Sequence, residues 1–354
     1  MKLLITGGAG FIGSALIRYL INESDHEVLN YDALKYSASL SSLNSIKSSN
    51  RYQFVKGDIC DEKLIKKNFE QFQPNGIINL AAESHVDRSI DNPTPFIQSN
   101  FFGTYNLLKT ANKYFNLLDV ETRNKFLFHQ VSTDEVYGDI GLSDPPCSEL
   151  HPYNPSSPYS ASKAGSDHLV KSWFRTYNLP IIITNCSNNY GPFHFPEKFI
   201  PHIILNAIQG NKIPIYGNGQ QIRDWIHVED HVRGLMEAFY KGKPGETYNI
   251  GGSNETRNID TALMICKILD KLIKDKPTGI KKFKELIHFV PDRPGHDKRY
   301  AINSSKIQTD IGWKPIENFE TGLIKTVKWY IDNKEWWNNI LKTNYSLSRL
   351  GTNK

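Results

Sequence analysis

Apolar residues fall into short unbroken runs near residues 2–6, 27–31, 52–55, 77–80 and 126–131, rich in Leu, Ile, Val and Phe. Runs without alternation read as strands covered on both faces. Between and after them, apolar positions recur at helical spacing, as over 14–21, 101–114 and 161–174. This alternation, from Lys2 to about Asn185, predicts an α/β fold built on a doubly wound parallel sheet. Glycine and proline become frequent beyond Asn188, where a smaller α/β lobe is expected to begin. Residues 225–240 and 247–250 read as a helix and a strand returning to the first lobe, so the lobes interleave. The expected division is 1–187 with 219–254 for one lobe and 188–218 with 255–354 for the other, with the ligand in the cleft between them. Residues 259–272 and 319–333 read as amphipathic helices of the smaller lobe, and the polar tail after Leu341 as loose.

The first strand runs directly into Gly7-Gly8-Ala9-Gly10-Phe11-Ile12-Gly13 and then into a helix. Glycines 8, 10 and 13 fit a dinucleotide turn, in which a tight bend and close backbone approach place a pyrophosphate on the helix N-terminus. The second apolar run ends in Asp32, at the distance where a carboxylate meets the adenosine ribose. A Rossmann-type, NAD-binding first lobe follows. Asp32 favours NAD over its phosphorylated relative, because carboxylate and phosphate about 4 Å apart repel by roughly 4 kcal/mol at an effective dielectric of 20. Lys35 blurs the choice: it is either a solvated loop lysine or a partner for a 2′-phosphate. Asp58 and Ile59, after the third run, are placed for an adenine contact, and Ala81 and Ala82, after the fourth, pass near the cofactor.

At the end of the 126–131 run stand Thr133, Asp134 and Glu135. Adjacent carboxyls can divide the labour of dehydration, one donating a proton while the other removes one. The same residues also read as a helix N-cap with charges suited to the dipole. Tyr159 and Lys163 share a helix face at i, i+4. That spacing also begins at Tyr31, Tyr52, Tyr105 and Tyr330, so only context singles out the 159/163 pair. A nearby ammonium favours the phenolate, and Lys163 is expected to lower the Tyr159 pKa.

These motifs resemble the extended short-chain dehydrogenase/reductase superfamily, and within it the nucleotide-diphosphate-glucose 4,6-dehydratases. The resemblance runs along nearly the whole chain through residues 81–89, 132–138, 159–163, 186–192, 196–198, 223–225, 228–231, 248–252 and 292–297. It implies NAD and a redox-neutral cycle on a nucleotide-diphosphate-glucose, dTDP-glucose being expected and UDP-glucose the alternative. Tyr159 would take the 4-hydroxyl proton as hydride leaves C4, Thr133 would orient that hydroxyl, Glu135 would remove the C5 proton and Asp134 would protonate the departing 6-hydroxyl. Ser84, His85 and Asn188 fall in substrate-facing motifs. Arg223 and Arg293 suit a diphosphate as guanidinium forks, with Lys198 and His296 in support, though each also reads as a surface charge. Phe199, Pro214 and Tyr216 would cradle the base or simply pack. The family usually shows Ala-Leu-Thr-Tyr-Ala-Gly after its ribose acid, where this chain has Ala33-Leu34-Lys35-Tyr36-Ser37-Ala38. The departure bears on the loop beside the adenosine.

Composition narrows the rest. The chain has 354 residues, 39% of them apolar, and a formal charge of +5, enough for a large core. The lysines of 267–284 come without an aromatic-and-basic module, so no nucleic acid is expected. No apolar run reaches the roughly 18 residues of a membrane helix, and Met1-Lys2 leads at once into the first strand, so a cytoplasmic protein is expected. Cys60, Cys147, Cys186 and Cys266 show neither disulfide nor zinc spacing, and His227 with His231 lacks a third ligand, so no metal is expected. The helices over 101–114 and 161–174 could form a four-helix homodimer interface or pack only within the chain. A nucleotide-sugar 4-epimerase or a UDP-glucuronate decarboxylase remains the nearest alternative, and a catalytically silent NAD-binding scaffold the more distant one.

Overall fold

The computed structural model describes residues 1–343 together with Tyr345 and Leu347. Its strands are β1 (Lys2–Thr6), β2 (Glu27–Asp32), β3 (Tyr52–Lys56), β4 (Gly76–Asn79), β5 (Leu127–Thr133), β6 (Ile181–Cys186), β7 (Asn188–Tyr190), β8 (Ile213–Tyr216), β9 (Ile222–His227), β10 (Thr247–Ile250), β11 (Glu255–Arg257) and β12 (Ile287–Val290). Seven of them form one sheet in the order β10-β6-β5-β4-β1-β2-β3, every pairing parallel. The chain starts at β1, winds outward to β3, then crosses back to β4 and winds the other way. β1 and β4 are therefore neighbours whose following segments diverge, which opens a crevice at their C-terminal ends. β4, β5 and β6 are buried at every residue, as strands covered on both faces must be.

One apolar core lies on each face of this sheet, the first around Leu16, Leu20, Val232 and Leu235, the second around Leu29, Phe69, Leu107 and Val170. A third core, with Ile204, Ile265, Leu269, Leu323 and Tyr330, belongs to the smaller lobe. β9 lies between β7 and β11 in a three-stranded sheet, parallel to the first and antiparallel to the second. Residues 225–227 are therefore strand rather than the helix expected from 225, and the helix is Val228–Lys241. An apolar Trp-Ile-His run flanked by other apolar residues carries no sign of which element it joins; pairing with β7 decides it. The chain also returns once more than expected. Ile307, Ile311 and Trp313 pack into the first core of the larger lobe, within a stretch read as smaller-lobe sequence.

The segment over 101–114 is not one regular α-helix. Ile97–Gly103 is a π-helical turn leading into Thr104–Leu117, and it buries Ser99 on the cleft and Asn100 against Glu83 and Ser162. Wide turns of this kind recur where a helix must present polar side chains to a site. Of the tail read as loose, Lys342 and Thr343 continue the helix Lys334–Thr343, and Tyr345 is 8% exposed beside Phe195 and Ile340. Apart from Leu347, the remainder of the tail lies outside the described residues.

Candidate active site

A cleft of about 440 Å³ opens at the C-terminal ends of β1, β2, β4, β5 and β6, roofed by the smaller lobe. At one end the glycine turn forms its floor. Gly7 has φ +71, and a Cβ there would stand 2.7 Å from the Ala81 nitrogen. Gly13 is closer still, since its Cβ would lie 2.2 Å from the Gly7 carbonyl oxygen. Gly7, Gly10, Phe11, Ile12 and Gly13 line the cleft. Gly8 does not, which corrects its place in the turn: it backs onto the interior, where a Cβ would meet the Asn30 Oδ1 at 2.3 Å. The turn glycine is Gly7, because only there does the bend require left-handed backbone. Gly10 caps the helix Phe11–Glu23 without any side-chain hydrogen bond, leaving its first amides for an anion.

Asp32 lines the same end and accepts from the backbone amides of Ala9 (2.9 Å) and Leu34 (2.7 Å), while burial raises its pKa. Asp58, Ile59, Ala81 and Ala82 border this end, and Lys35 reaches in from the loop after β2. The unfilled glycine cradle, uncapped helix and ribose-distance carboxylate fit a dinucleotide. They suit NAD in particular.

Past the middle of the cleft, β5 ends at Thr133 and passes into a 3-10 turn, Asp134–Tyr137. The Thr133 hydroxyl accepts from the Glu135 amide at 3.3 Å, so the N-cap reading holds too. Both carboxyls nevertheless face the cleft, and Asp134 Oδ2 and Glu135 Oε2 have no partner among the described residues. Their environments differ. Burial, then the Glu135 and Asp224 carboxylates, push Asp134 well above the usual carboxylate range. Burial also raises Glu135, but Arg293, Arg223 and Lys198 pull it back toward ionisation.

Tyr159 stands near the start of the helix Pro158–Tyr177, whose Ser157 cap makes a reciprocal box with Ser160. Its ring meets Phe96 edge-on at 6.3 Å, and its hydroxyl is hydrogen-bonded with Thr133. The expected lowering of its pKa by Lys163 is not what the protein's own groups produce. Burial, then Glu135 and Cys186, raise Tyr159 well above the ordinary phenol value. Lys163 instead donates to the Val131 carbonyl at 2.8 Å, and burial lowers its own pKa.

The far end is cationic. The Arg223 guanidinium donates to the carbonyls of Ile222 (2.7 Å) and Asp297 (2.9 Å) and lies over the Tyr300 ring. Burial opposes ionisation of Arg293, yet its ion pair with Asp87 holds it above the usual arginine value, and its Nε is free of partners among the described residues. Lys198 donates to the Ser84 carbonyl at 2.7 Å. Burial, then Arg293 and Arg223, lower the His296 pKa to about 4, so the protein's own groups favour its neutral form at neutral pH. His85 is likewise held well below the usual histidine range by burial, then by Lys198. Asn188 has a side-chain oxygen without a partner among the described residues. Phe199 stacks on Trp225 at 6.2 Å, while Pro214 and Tyr216 form the neighbouring wall and Tyr216 donates to Asp87 at 3.0 Å.

Every site residue expected from sequence except Gly8 thus borders this one cleft. Sequence reasoning missed Asp87, Glu197, Tyr300 and Tyr345, which also line it. They come from separate elements at no fixed spacing, and only Asp87 and Glu197 stood inside motifs already noted.

The family model for GDP-mannose 4,6 dehydratase matches residues 4–326. A dTDP-glucose 4,6-dehydratase of Escherichia coli is 57% identical over 359 residues, covering 99% of this chain and 99% of that protein. The dTDP-glucose 4,6-dehydratase of Bacillus anthracis, solved in complex with NAD, superposes with a TM-score of 0.85 at 40% identity over 96% of this chain and 99% of its own. That of Streptomyces venezuelae, also solved with NAD, gives 0.86 at 38% identity, covering 96% of this chain and 100% of its own. The chain therefore belongs to the nucleotide-sugar 4,6-dehydratase family that this model describes.

Proposed function

We propose that the protein dehydrates dTDP-glucose to dTDP-4-keto-6-deoxyglucose and water, with NAD as its resident cofactor. The observation that carries this reading is the unequal carboxyl pair. Asp134, the more strongly raised, is the proton donor, and Glu135, beside three cations, is the base. When bound, NAD accepts one hydride and gives it back, so oxidation at C4 and reduction at C6 balance within one turnover. Gly7, Gly10, Gly13 and the helix start hold its pyrophosphate, and Asp32 its ribose.

Tyr159 takes the 4-hydroxyl proton, with Thr133 orienting that hydroxyl. Because burial and Glu135 oppose the phenolate, this step quickens as pH rises. The resulting 4-ketone acidifies the C5 proton, which Glu135 removes while Asp134 protonates the 6-hydroxyl and water departs. Arg223, Arg293 and Lys198 bind the diphosphate, His296 contributes hydrogen bonding rather than charge, and Asn188, Ser84 and His85 border the sugar. Phe199, Pro214 and Tyr216 take the base. A 4-epimerase would need Tyr159 and NAD but no buried acid, so Asp134 weighs against that alternative.

Two further parts of the reading concern assembly and place. Ile97, Phe102, Tyr105, Leu117 and Tyr177 stay exposed on adjacent helices, which supports a homodimer joined through them. Four free cysteines support the cytoplasm, where thiols stay reduced. The decisive experiment offers dTDP-glucose and UDP-glucose separately, the sugar deuterated at C4, and weighs the products. Loss of one water with deuterium in the new methyl group is expected, faster for dTDP-glucose. Formation of the C4 epimer, separated chromatographically from unreacted substrate and still deuterated at C4, would overturn the reading in favour of an epimerase.

A further inference from the structure

Lys35 sits where the family usually has threonine, in the loop that leaves β2 at the adenosine end of the cleft. Its ammonium is already engaged. It donates to the Ser99 hydroxyl at 2.6 Å and pairs with Glu83 at 3.3 Å and Asp58 at 3.7 Å. These partners come from three places: the π-helical turn, the loop after β4 and the loop after β3. Glu83 is the stronger anchor, since its side chain is 11% exposed against 41% for Asp58, and water screens it less. Glu83 is itself fixed, because the Asn100 amide spans its backbone N–H (2.8 Å) and C=O (3.0 Å) and also donates to Ser162 on the Tyr159 helix (2.8 Å).

The loop is held on both sides of Lys35. Leu34 takes a left-handed backbone, φ +53, with its amide on Asp32, and the Tyr36 hydroxyl donates to Glu197 at 2.7 Å. Residues 34–36 are therefore pinned to the end of β2, the π-turn and Glu197, with Lys35 on the cleft.

We propose that Lys35 is a specificity-determining residue that ties this loop shut over the adenosine, slowing cofactor release and leaving no free cation for a 2′-phosphate. The inference rests on the NAD-dependent reading above. A 2′-phosphate would have to draw the ammonium from Glu83 and Asp58, leaving the largely buried Glu83 carboxylate uncompensated. A ribose hydroxyl makes no such demand. A lysine in this position would ordinarily suggest tolerance of the phosphorylated dinucleotide; its three partners give it the opposite effect.

The test uses wild type, Lys35→Thr and Glu83→Gln. Fluorescence titration gives their affinities for NADH and NADPH, and stopped-flow displacement gives NADH release rates. Lys35→Thr is expected to release NADH roughly fivefold faster without losing NADPH affinity, and Glu83→Gln, which frees the ammonium, to bind NADPH roughly fivefold more tightly. A selective loss of NADPH affinity in Lys35→Thr, or NADH release at the wild-type rate, overturns the proposal. So does an unchanged NADPH affinity in a folded Glu83→Gln. Should that variant not fold, Lys35→Thr, altered at a partly exposed side chain, decides alone. Wild type that binds no NADH would instead refute the cofactor reading itself.

Discussion

Asp134 and Glu135 are neighbours in sequence and strangers in environment. One carboxyl sits among other carboxylates in a buried pocket, and the other faces two arginines and a lysine. The proposed elimination needs the first protonated and the second ionised, so its rate should fall as pH rises through the Asp134 pKa and fall again as pH drops through that of Glu135. Asp134→Asn removes the proton donor. Dehydration should slow by about 10²–10⁴-fold while cofactor reduction in a single turnover slows far less, as rapid-quench product analysis and absorbance can separate. Equal loss in both steps would remove Asp134 from the acid role. The same substitution has a sign in stability. A carboxyl whose folded pKa is raised contributes stability that is complete below its unfolded pKa and lost as pH rises through the folded one. Asp134→Asn cannot ionise, so its melting temperature should match or fall below wild type in acid and exceed it increasingly toward alkaline pH. A gap that does not widen with pH would mean that the carboxyl is not strained by ionisation.

At the scale of elements, the site is made by strand ends, and its tightest tolerance is where β1 hands over to its helix. Gly13 has no room for a side chain, its Cβ position lying 2.2 Å from the Gly7 carbonyl oxygen and 2.8 Å from the Gly8 α-carbon. Gly13→Ala should push the turn out of shape and weaken NADH binding at least about tenfold, measured by fluorescence titration, with far-ultraviolet circular dichroism checking that the sheet survives. The large sheet was legible in the sequence because strands buried on both faces write unbroken apolar runs. Asp32, Asp134 and Tyr159 were legible because each follows such a run or a helix start. The true turn glycine was not, since Gly7 is constrained by Ala81 from the loop after β4. Nor was the Tyr159 pKa: its neighbours in sequence include a lysine, whereas its neighbours in space include Glu135 and Cys186. Residues 225–227 misled because pairing partners, unlike periodicity, leave no local trace.

The cleft is lined both by the strand ends of the large sheet and by residues packed against the third core, such as Phe199, so neither set closes it alone. One group of exposed apolar residues lies on the π-helical turn and the helices Thr104–Leu117 and Pro158–Tyr177. There Phe102 is 48% exposed, Leu117 85% and Tyr177 49%, on helices that pack side by side, with Tyr105 meeting Trp173 edge-on at 5.9 Å. Such a patch costs free energy in water, and in the proposed homodimer it would be covered about a twofold axis, each copy contributing two helices. Burying one phenylalanine is worth about 1.5–3 kcal/mol, and a twofold interface counts it twice. Phe102→Asp should therefore raise the dimer dissociation constant by roughly 10²–10⁴-fold, giving monomer at micromolar concentrations where wild type sediments as a dimer. Because Ser99 and Asn100 share the π-turn with Phe102, the monomer should also hold NADH less tightly. Sedimentation equilibrium of both proteins checks the first expectation and fluorescence titration the second. Unchanged association in Phe102→Asp would move the interface elsewhere, and unchanged NADH affinity in a proven monomer would show that the turn keeps its shape without a partner.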